Sequence, residues 1–309
     1  MKEKKNKRVG TTALLVIIFL AGLSLLLYPT ISNYWNKLHQ TYAIGDYTQK
    51  VEELNGEKDA ELWAEAREYN EALLERGNPY VLPEKMLSRY EEVLDVSGTG
   101  IMGYVEIPKI DCTLPIYHGT DEAVLQVAIG HLEWTSLPVG GPGTHSAISG
   151  HRGLPSAELM THIDRLEPGD RFYIHVLNEI LEYRVCDIFV VLPEDTSKLR
   201  IEAGKDYMTL VTCTPYGINS HRLLVRGERV SGEQSSSGSI QYINNEIEEV
   251  SLMYVLPVIL VIIVLAAFLW IWLQDQRVVY RRKIRRYRRS RRKMQEGGEQ
   301  IWANESEDN

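Results

Sequence analysis

The stretch TLVTCTPYGINSHRLLVRG, residues 209–227, contains two apolar runs separated by a turn-like segment at 215–219. Two short strands joined in this way predict a β-hairpin. If the hairpin is symmetric about Gly217 and Ile218, Cys213 lies directly opposite Arg222, with Cβ atoms about 5 Å apart. A thiol beside a guanidinium is a candidate nucleophile next to a group that can stabilise an oxyanion.

A candidate proton-transfer residue lies upstream, in the segment GTHSAISGHRGLP at 143–155. His151 follows a run of small residues that lets the backbone approach closely and presents a side chain at a strand end. Histidine is the side chain best suited to exchange protons near neutral pH. His145 could instead belong to the site, whereas His221 should point to the opposite face from Arg222, because strand neighbours alternate.

These segments resemble the sortase family. TLVTC, followed nine residues later by Arg222 and preceded by SGHRG, matches the family pattern. The longer segments TSLPVGGPGTHSAISGHRGLP and TCTPYGINSHRLLVRG are similar to class C, the pilin-polymerising branch. The resemblance covers about 100–230, with a weaker continuation back to about residue 40. It implies a mostly β fold, an eight-stranded closed barrel with short helices, preceded by a helical lid region.

The resemblance also implies a reaction, a cysteine transpeptidation. Cys213 would be the nucleophile, His151 the general acid and then base, and Arg222 the group that holds substrate and oxyanion. A pilin or surface protein with an LPXTG-like signal would be cleaved between threonine and glycine, and a pilin lysine amine would then attack the thioester. No cofactor or metal is expected, since no close ligand pair supports zinc.

Two other functions remain open. A sortase that attaches surface proteins to peptidoglycan would share the chemistry but use a wall amine as acceptor. A non-catalytic membrane receptor or scaffold on the same barrel would not need Cys213. The complete Cys–His–Arg set argues against the second alternative, and a lid-like extension with a second membrane span argues against the first.

The lid is predicted from Asn78, Pro79 and Tyr80. Class C sortases carry an Asp-Pro-aromatic motif over the site, in which the aspartate is thought to contact the catalytic arginine and the aromatic ring covers the cysteine. Asn78 departs from this motif because an amide cannot form an ion pair. We therefore expect a weaker latch here, since charge-assisted hydrogen bonds are about twice as strong as neutral ones. The alternative is an ordinary Asn-Pro turn after a helix.

Two uncharged apolar stretches are long enough to span a bilayer as helices, at 9–28 and 252–273. Basic residues flank them at 1–8 and in the tail 274–309. The positive-inside rule then places both termini in the cytoplasm and the segment between the spans outside the cell membrane. A cleaved signal peptide is the alternative for the first stretch, but no A-x-A site follows it.

The net charge of −8 hides this division, because the acidic excess lies between the two basic flanks. An acidic outer domain argues against nucleic-acid partners. The basic tail follows a predicted span directly, so its expected partner is anionic membrane lipid.

Between the spans the sequence predicts three segments: a helical N-terminal region at 29–99, the catalytic barrel at 100–230 and a Ser/Gly-rich linker at 231–251. A helix is expected over 46–76, interrupted near Gly56, and another over 84–94. Alternating apolar runs and turn signals predict strands. These strands are expected at 101–107, 114–117, 171–177, 181–192, 207–212 and 223–230, with helical interruptions at 121–129 and 156–166.

The three cysteines make a disulfide scaffold improbable. Cys112 and Cys186 lie in apolar, strand-like runs, which favours buried small hydrophobic side chains. One disulfide between them remains open in an oxidising exterior, and it would leave Cys213 free.

Overall fold

The computed structural model describes residues 2–77 and 80–230, with side chains described from residue 16 onward. The predicted linker, second membrane span and basic tail, at 231–309, lie outside the described residues. Within the described part, the molecule consists of three N-terminal helices and a β-barrel.

The first helix, α1 (Lys2–Glu52), runs without interruption from the basic flank through the predicted anchor. It contains an 18-residue window of mean hydropathy 1.8, and among the described residues it is the one helix long and apolar enough to cross a membrane. The sequence placed a helix only from residue 46 onward, outside the anchor. The residues from Pro29 to Glu52 continue the same helix, and its last turns pack on the barrel through Tyr47 and Val51, which are buried against Ile101.

The second and third helices have the predicted positions. After a break that precedes Gly56, α2 (Gly56–Glu75) begins with Asn55 accepting a hydrogen bond from the Lys58 amide at 2.7 Å. It ends before Gly77, which has φ +73°, as expected for a glycine after a helix end. The short α3 (Glu84–Glu92) follows.

The barrel contains eight strands: β1 (Ile101–Ile107), β2 (Cys112–His118), β3 (Ile129–His131), β4 (Thr144–Ser149), β5 (Arg171–Val176), β6 (Glu179–Val191), β7 (Asp206–Thr214) and β8 (His221–Arg229). They close in the order β1-β2-β3-β4-β7-β8-β6-β5. The β2–β3 and β4–β7 pairs are parallel, and the other pairs are antiparallel. The predicted closed, eight-stranded barrel is therefore confirmed.

Short helical pieces connect the strands. They are α4 (Glu122–Leu125) and three 3₁₀ turns, Pro108–Ile110, Ile163–Arg165 and Ser197–Leu199. The helix predicted at 121–129 is shorter than expected: it ends at Leu125, turn residues follow at 126–128, and Ile129 begins β3.

The helix predicted at 156–166 is wrong, since only the turn Ile163–Arg165 is helical. The backbone groups that a helix would pair internally bond elsewhere. The amide of Glu158 donates to Asn33 on α1, the carbonyl of Ser156 accepts from Asn36, and the amide of Met160 donates to the carbonyl of His151. Leu159 also has φ +40°, which is incompatible with a right-handed helix.

The main hydrophobic core fills the barrel and extends under α2 and α3. Interior strand residues such as Val105, Ile116 and Leu210 join Tyr69 and Tyr90 from the helices in one cluster. The helices are therefore packed onto the barrel by buried apolar surface, which is the dominant favourable term in folding.

Candidate active site

The hairpin β7–β8 pairs Cys213 with Arg222, as the sequence predicted. The turn between them is closed by the amides of Ile218 and Asn219, which both donate to the carbonyl of Pro215 at 3.1 and 2.9 Å. Thr214 pairs with His221 one step further along. Because neighbours in a strand alternate, His221 points to the opposite face from Arg222, in agreement with the prediction.

His151 reaches the same end of the barrel from the neighbouring strand. Strand β4 runs parallel to β7, with Ser149 opposite Val211. Beyond the ladder, the amide of Gly150 donates to the carbonyl of Val211 at 3.1 Å, and the hydroxyl of Thr212 donates to the carbonyl of Gly150 at 2.8 Å. His151 thus leaves β4 next to the end of β7 at which Cys213 lies.

An apolar surface continues from the Cys213–Arg222 pair along the same face of the sheet. The next pair on that face is Val211–Leu224. These two residues belong to a cluster that is separate from the main core. We call this cluster the apolar floor. The apolar floor consists of Ala147, Leu199, Val211 and Leu224, with Leu132, Trp134, Phe189 and Val191 packed against it.

Arg222 is held by the hairpin itself. Its Nη1 donates to the carbonyls of Asn219 and His221, both at 3.3 Å. In the part of the chain that the structure describes, no carboxylate forms an ion pair with it. Its positive charge therefore remains available for an anionic group at the end of the sheet.

Arg226 shares the face of Arg222 but has a different environment. Its guanidinium binds Asp187 at 2.5 Å and lies 3.4 Å from Glu202. It also packs over the ring of Tyr207 at 4.5 Å. These contacts pair the charge of Arg226 with carboxylates of the barrel wall, so this guanidinium is occupied, unlike that of Arg222.

The Nε2 atom of His151 is buried and has no hydrogen-bond partner among the described residues. A buried polar atom without a partner is costly unless a ligand or water completes it.

Arg152 is a site residue that the sequence reasoning did not single out, although it stands in the SGHRG motif. Its guanidinium donates to Asp164 at 2.6 Å and lies 5.8 Å from the ring centre of Tyr216. Its side chain is only 9% exposed. Arg152 therefore joins the segment after His151 to the turn that follows Cys213.

His145, the alternative histidine, is fully buried. Its Nδ1 lies 2.8 Å from the carbonyl oxygen of Arg200, and its Nε2 lies 2.8 Å from the hydroxyl of Thr209. Burial lowers its pKa to about 4. It is therefore a neutral histidine that ties β4 to the β6–β7 connection.

The other two thiols are free and lie in strands, so no disulfide joins them. Cys112 is buried, and burial raises its pKa to about 12. Burial also raises the pKa of Cys186, and its Sγ donates to the carbonyl of Arg226 at 3.3 Å. Because the thiolate is the reactive form, neither is a competing nucleophile at neutral pH.

Of the predicted lid, Asn78 and Pro79 lie outside the described residues. Tyr80 is 47% exposed, and its ring packs edge-on against Trp134 with the ring centres 5.3 Å apart. Hydrogen bonds to Thr196 and Arg200 lower its pKa. Since Trp134 packs against the apolar floor, Tyr80 lies at the border of that surface.

The described residues contain no cluster of three or more His, Cys, Asp or Glu side chains that could hold a metal ion. The chemistry available among them is that of a thiol, an imidazole and a guanidinium at one end of a barrel.

Comparison with known proteins identifies a family. Residues 105–230 match the family model described as Sortase domain. Sortase D of Bacillus subtilis strain 168 is 30% identical over 132 residues, which are 42% of this chain and 64% of that protein. The matched segment thus spans less than two thirds of that relative's length.

Solved structures give a longer match. Sortase C1 of Streptococcus agalactiae is 47% identical with a TM-score of 0.61, and the match covers 62% of this chain and 100% of the solved chain. Sortase C of Clostridium perfringens, solved with the C-terminal cell wall sorting motif, is 43% identical with a TM-score of 0.54, and the match again covers 62% and 100%.

Proposed function

This chain belongs to the sortase family, and we propose that it is a membrane-anchored cysteine transpeptidase of class C that joins pilins. The observation that carries the proposal is the direct pairing of Cys213 with Arg222, with His151 leaving the adjacent strand at the same end. Similarity to two sortase C structures, one of them solved with a sorting motif, supports the class and the substrate.

In the first half of the reaction, the Cys213 thiolate attacks the threonine carbonyl carbon of an LPXTG-like signal. The carbonyl oxygen becomes an oxyanion, which the Arg222 guanidinium stabilises. The bond between threonine and glycine then breaks, and the protonated His151 gives its proton to the departing glycine amine. The threonine is left on Cys213 as a thioester. We assign the leucine and proline of the signal to the partly exposed side chains that pack against the apolar floor, such as Trp134 and Val191.

In the second half, the ε-amine of a pilin lysine attacks the thioester carbon. The amine loses its proton to the neutral His151, and the carbon–sulfur bond breaks. An isopeptide bond forms, and both the Cys213 thiolate and the protonated His151 are restored. Dividing one difficult acyl transfer into two steps is the ordinary advantage of a covalent intermediate.

Cleavage of a fluorogenic LPXTG peptide by the full chain in detergent tests the proposal. Wild type and Cys186→Ala should cleave the peptide at equal rates, because Cys186 lies in the barrel wall. Cys213→Ala should be inactive, and mass spectrometry should find the acyl group of the peptide on Cys213 of wild type and of Cys186→Ala, and on no residue of Cys213→Ala. Equal cleavage by Cys213→Ala would contradict the assignment and favour the receptor or scaffold alternative.

The acceptor requires a separate competition. Given equal concentrations of a pilin and of wall-peptide amines, the enzyme should form covalent pilin ladders. Wall-peptide adducts without ladders would reject pilin joining and support the peptidoglycan-attaching sortase instead.

We also propose that residues 78–80 form a lid over Cys213. In a Cys186→Ala background, which leaves Cys213 as the accessible thiol, Tyr80→Ala should speed alkylation of Cys213, while Tyr42→Ala on the exposed side of α1 should not. Asn78→Asp should slow alkylation, because an aspartate can form an ion pair with Arg222. An unchanged rate in Tyr80→Ala would count against the lid.

Membrane topology belongs to the same proposal. With spans at 9–28 and 252–273, both termini are cytoplasmic and the barrel is outside a Gram-positive cell. Cysteines introduced singly near each terminus, in a chain with Cys186→Ala and Cys213→Ala, should resist a membrane-impermeant thiol reagent in intact cells and react after lysis. A terminus that reacts in intact cells would contradict this arrangement.

A further inference from the structure

The segment after His151 is held together by its own hydrogen bonds. We call residues 151–162 the histidine loop. The amide of Met160 donates to the carbonyl of His151 at 3.2 Å, and the amide of Gly153 donates to the hydroxyl of Thr161 at 3.2 Å. That hydroxyl in turn donates to the carbonyl of Glu158. The backbone at 158–161 therefore sets the backbone at 151–153.

The same part of the loop is bound by the anchor helix. The side-chain oxygen of Asn33 accepts from the Glu158 amide at 2.8 Å, and the side-chain nitrogen of Asn36 donates to the Ser156 carbonyl at 2.8 Å. The ammonium of Lys37 lies 3.4 Å from the Glu158 carboxylate. These three helix residues follow the i, i+3, i+4 spacing of one helix face.

These contacts with α1 supply hydrogen bonds that the histidine loop does not form within itself. Because 156–162 is not helical, its polar backbone groups need partners from elsewhere. Two of these partners come from a helix more than 100 positions earlier in the chain. Asn33 is five residues beyond Tyr28, the end of the predicted span, so the contact lies about 7.5 Å along the helix from that end.

We infer that Asn33 and Asn36 are positioning residues that hold His151 through the histidine loop, so that the membrane anchor is part of the active-site scaffold. The inference rests on the proposed function for its effect on rate. The path runs from the two amide side chains to Ser156 and Glu158, and from there to the carbonyl of His151. An ångström-scale displacement of a catalytic group can cost up to about a hundredfold in rate.

The helix itself offers a matched control. Gln40 is also an amide side chain on α1, and its nitrogen donates to a barrel carbonyl at 2.6 Å. That carbonyl belongs to Val127, outside the histidine loop. Gln40→Ala therefore removes a comparable contact between α1 and the barrel without touching the loop. Ser156→Ala is a second control, because Asn36 bonds to the backbone of that residue and not to its hydroxyl.

The experiment compares the Asn33→Ala/Asn36→Ala double variant with both controls, all as full chains in lipid nanodiscs. Hydrogen exchange of peptides covering 151–162 should be about tenfold faster in the double variant than in Gln40→Ala, Ser156→Ala or wild type. For cleavage of an LPXTG peptide, kcat of the double variant should fall about tenfold with KM within about twofold, since the apolar floor and Arg222 are unchanged. The controls should keep the wild-type kcat.

Each outcome decides the inference. Loop exchange equal to that of Gln40→Ala, or a kcat equal to wild type despite faster exchange, overturns it. A loss of thermal stability and kcat shared by the double variant and Gln40→Ala overturns it as well, because the contacts would then be merely structural. If wild type does not cleave the peptide, the proposed function fails, and the exchange measurement still shows whether α1 holds the loop.

Discussion

Arg222 and Arg226 lie on the same face of β8 and have opposite surroundings. Arg222 is bound only by carbonyls of its own hairpin among the described residues, whereas Arg226 is paired with Asp187 and Glu202. A guanidinium offers a planar fork of donors, and an ammonium does not. Lysine substitutions at the two positions therefore separate the effect of the planar guanidinium donors from the effect of positive charge alone.

We expect Arg222→Lys to lower kcat/KM for an LPXTG peptide by about a hundredfold, because losing one oxyanion donor costs about 10² to 10³ in rate. Its melting temperature should stay near that of wild type. Arg226→Lys should show the reverse pattern, a lower melting temperature and a rate within a few-fold of wild type. Steady-state kinetics and thermal unfolding of the full chain measure both. A similar loss of rate in both variants would refute the distinction.

The sequence alone predicted the positions of some site residues but not the contacts of others. The pairing of Cys213 with Arg222 follows from hairpin symmetry, a local property. The contacts of Arg152 with Asp164 and Tyr216 depend on how two loops meet, and no local pattern encodes this. Of the two histidines in the segment 143–155, only His151 stands in the SGHRG motif, and burial with bonds to Arg200 and Thr209 identifies His145 as a neutral structural histidine.

Among the elements, α2 is attached to the barrel by one buried side chain as well as by apolar packing. Asn70 is 4% exposed. Its oxygen accepts from the Leu137 amide at 2.7 Å, and its nitrogen donates to the Leu137 carbonyl at 3.2 Å. The Leu137 amide thus depends on Asn70, whereas the Leu137 carbonyl also accepts from the amide of Val139 at 2.8 Å.

We predict that Asn70→Ala lowers the free energy of unfolding by about 2 kcal/mol, because the buried Leu137 amide left without its partner costs about 1–3 kcal/mol. Asn178→Ala is the matched control. Asn178 donates to Asp59 at 3.0 Å on the surface, so its loss should cost less than about 0.5 kcal/mol. Chemical denaturation followed by tryptophan fluorescence gives both values. Equal effects would show that Leu137 finds other partners.

Elements with a clear hydrophobic period were predictable from the sequence. Segments whose backbone groups form hydrogen bonds with other elements were not. The alternating pattern of β5 and the helical period of α2 appear directly in the sequence. Strand β4 is buried at five consecutive positions, so it shows no alternation, and β3 has only three residues. The helix predicted at 156–166 was wrong because Ser156 and Glu158 find hydrogen-bond partners on α1 and Met160 bonds to His151.

For the whole molecule, the closed barrel was predicted through a family resemblance and not through strand periodicity, since the latter supplied only six of the eight strands. Two buried histidines lie in the wall of the closed barrel. His131 and His145 are both fully buried. Burial lowers the pKa of His131 to about 3 and that of His145 to about 4. Both are therefore neutral in the folded protein throughout the physiological range.

These two histidines make the fold sensitive to acid. Below pH 6.5 the unfolded chain takes up a proton at each histidine, while the folded chain does not until pH falls to about 4 or 3. The free energy of unfolding should thus fall by about 1.4 kcal/mol per pH unit for each group as pH decreases. Between pH 6.5 and 5 this amounts to about 2 kcal/mol per histidine.

Denaturant unfolding of wild type and His145→Gln at pH 7, 6 and 5 isolates the contribution of His145 to the pH dependence of the free energy of unfolding. Glutamine keeps polar groups near Arg200 and Thr209 but does not titrate, so the variant should be less stable at pH 7 and lose stability less steeply toward pH 5. The difference between the two slopes should approach one proton, since other titrating groups are common to both proteins. Equal slopes would mean that His145 takes up its proton in the folded barrel, and that its contacts with Arg200 and Thr209 do not keep it neutral.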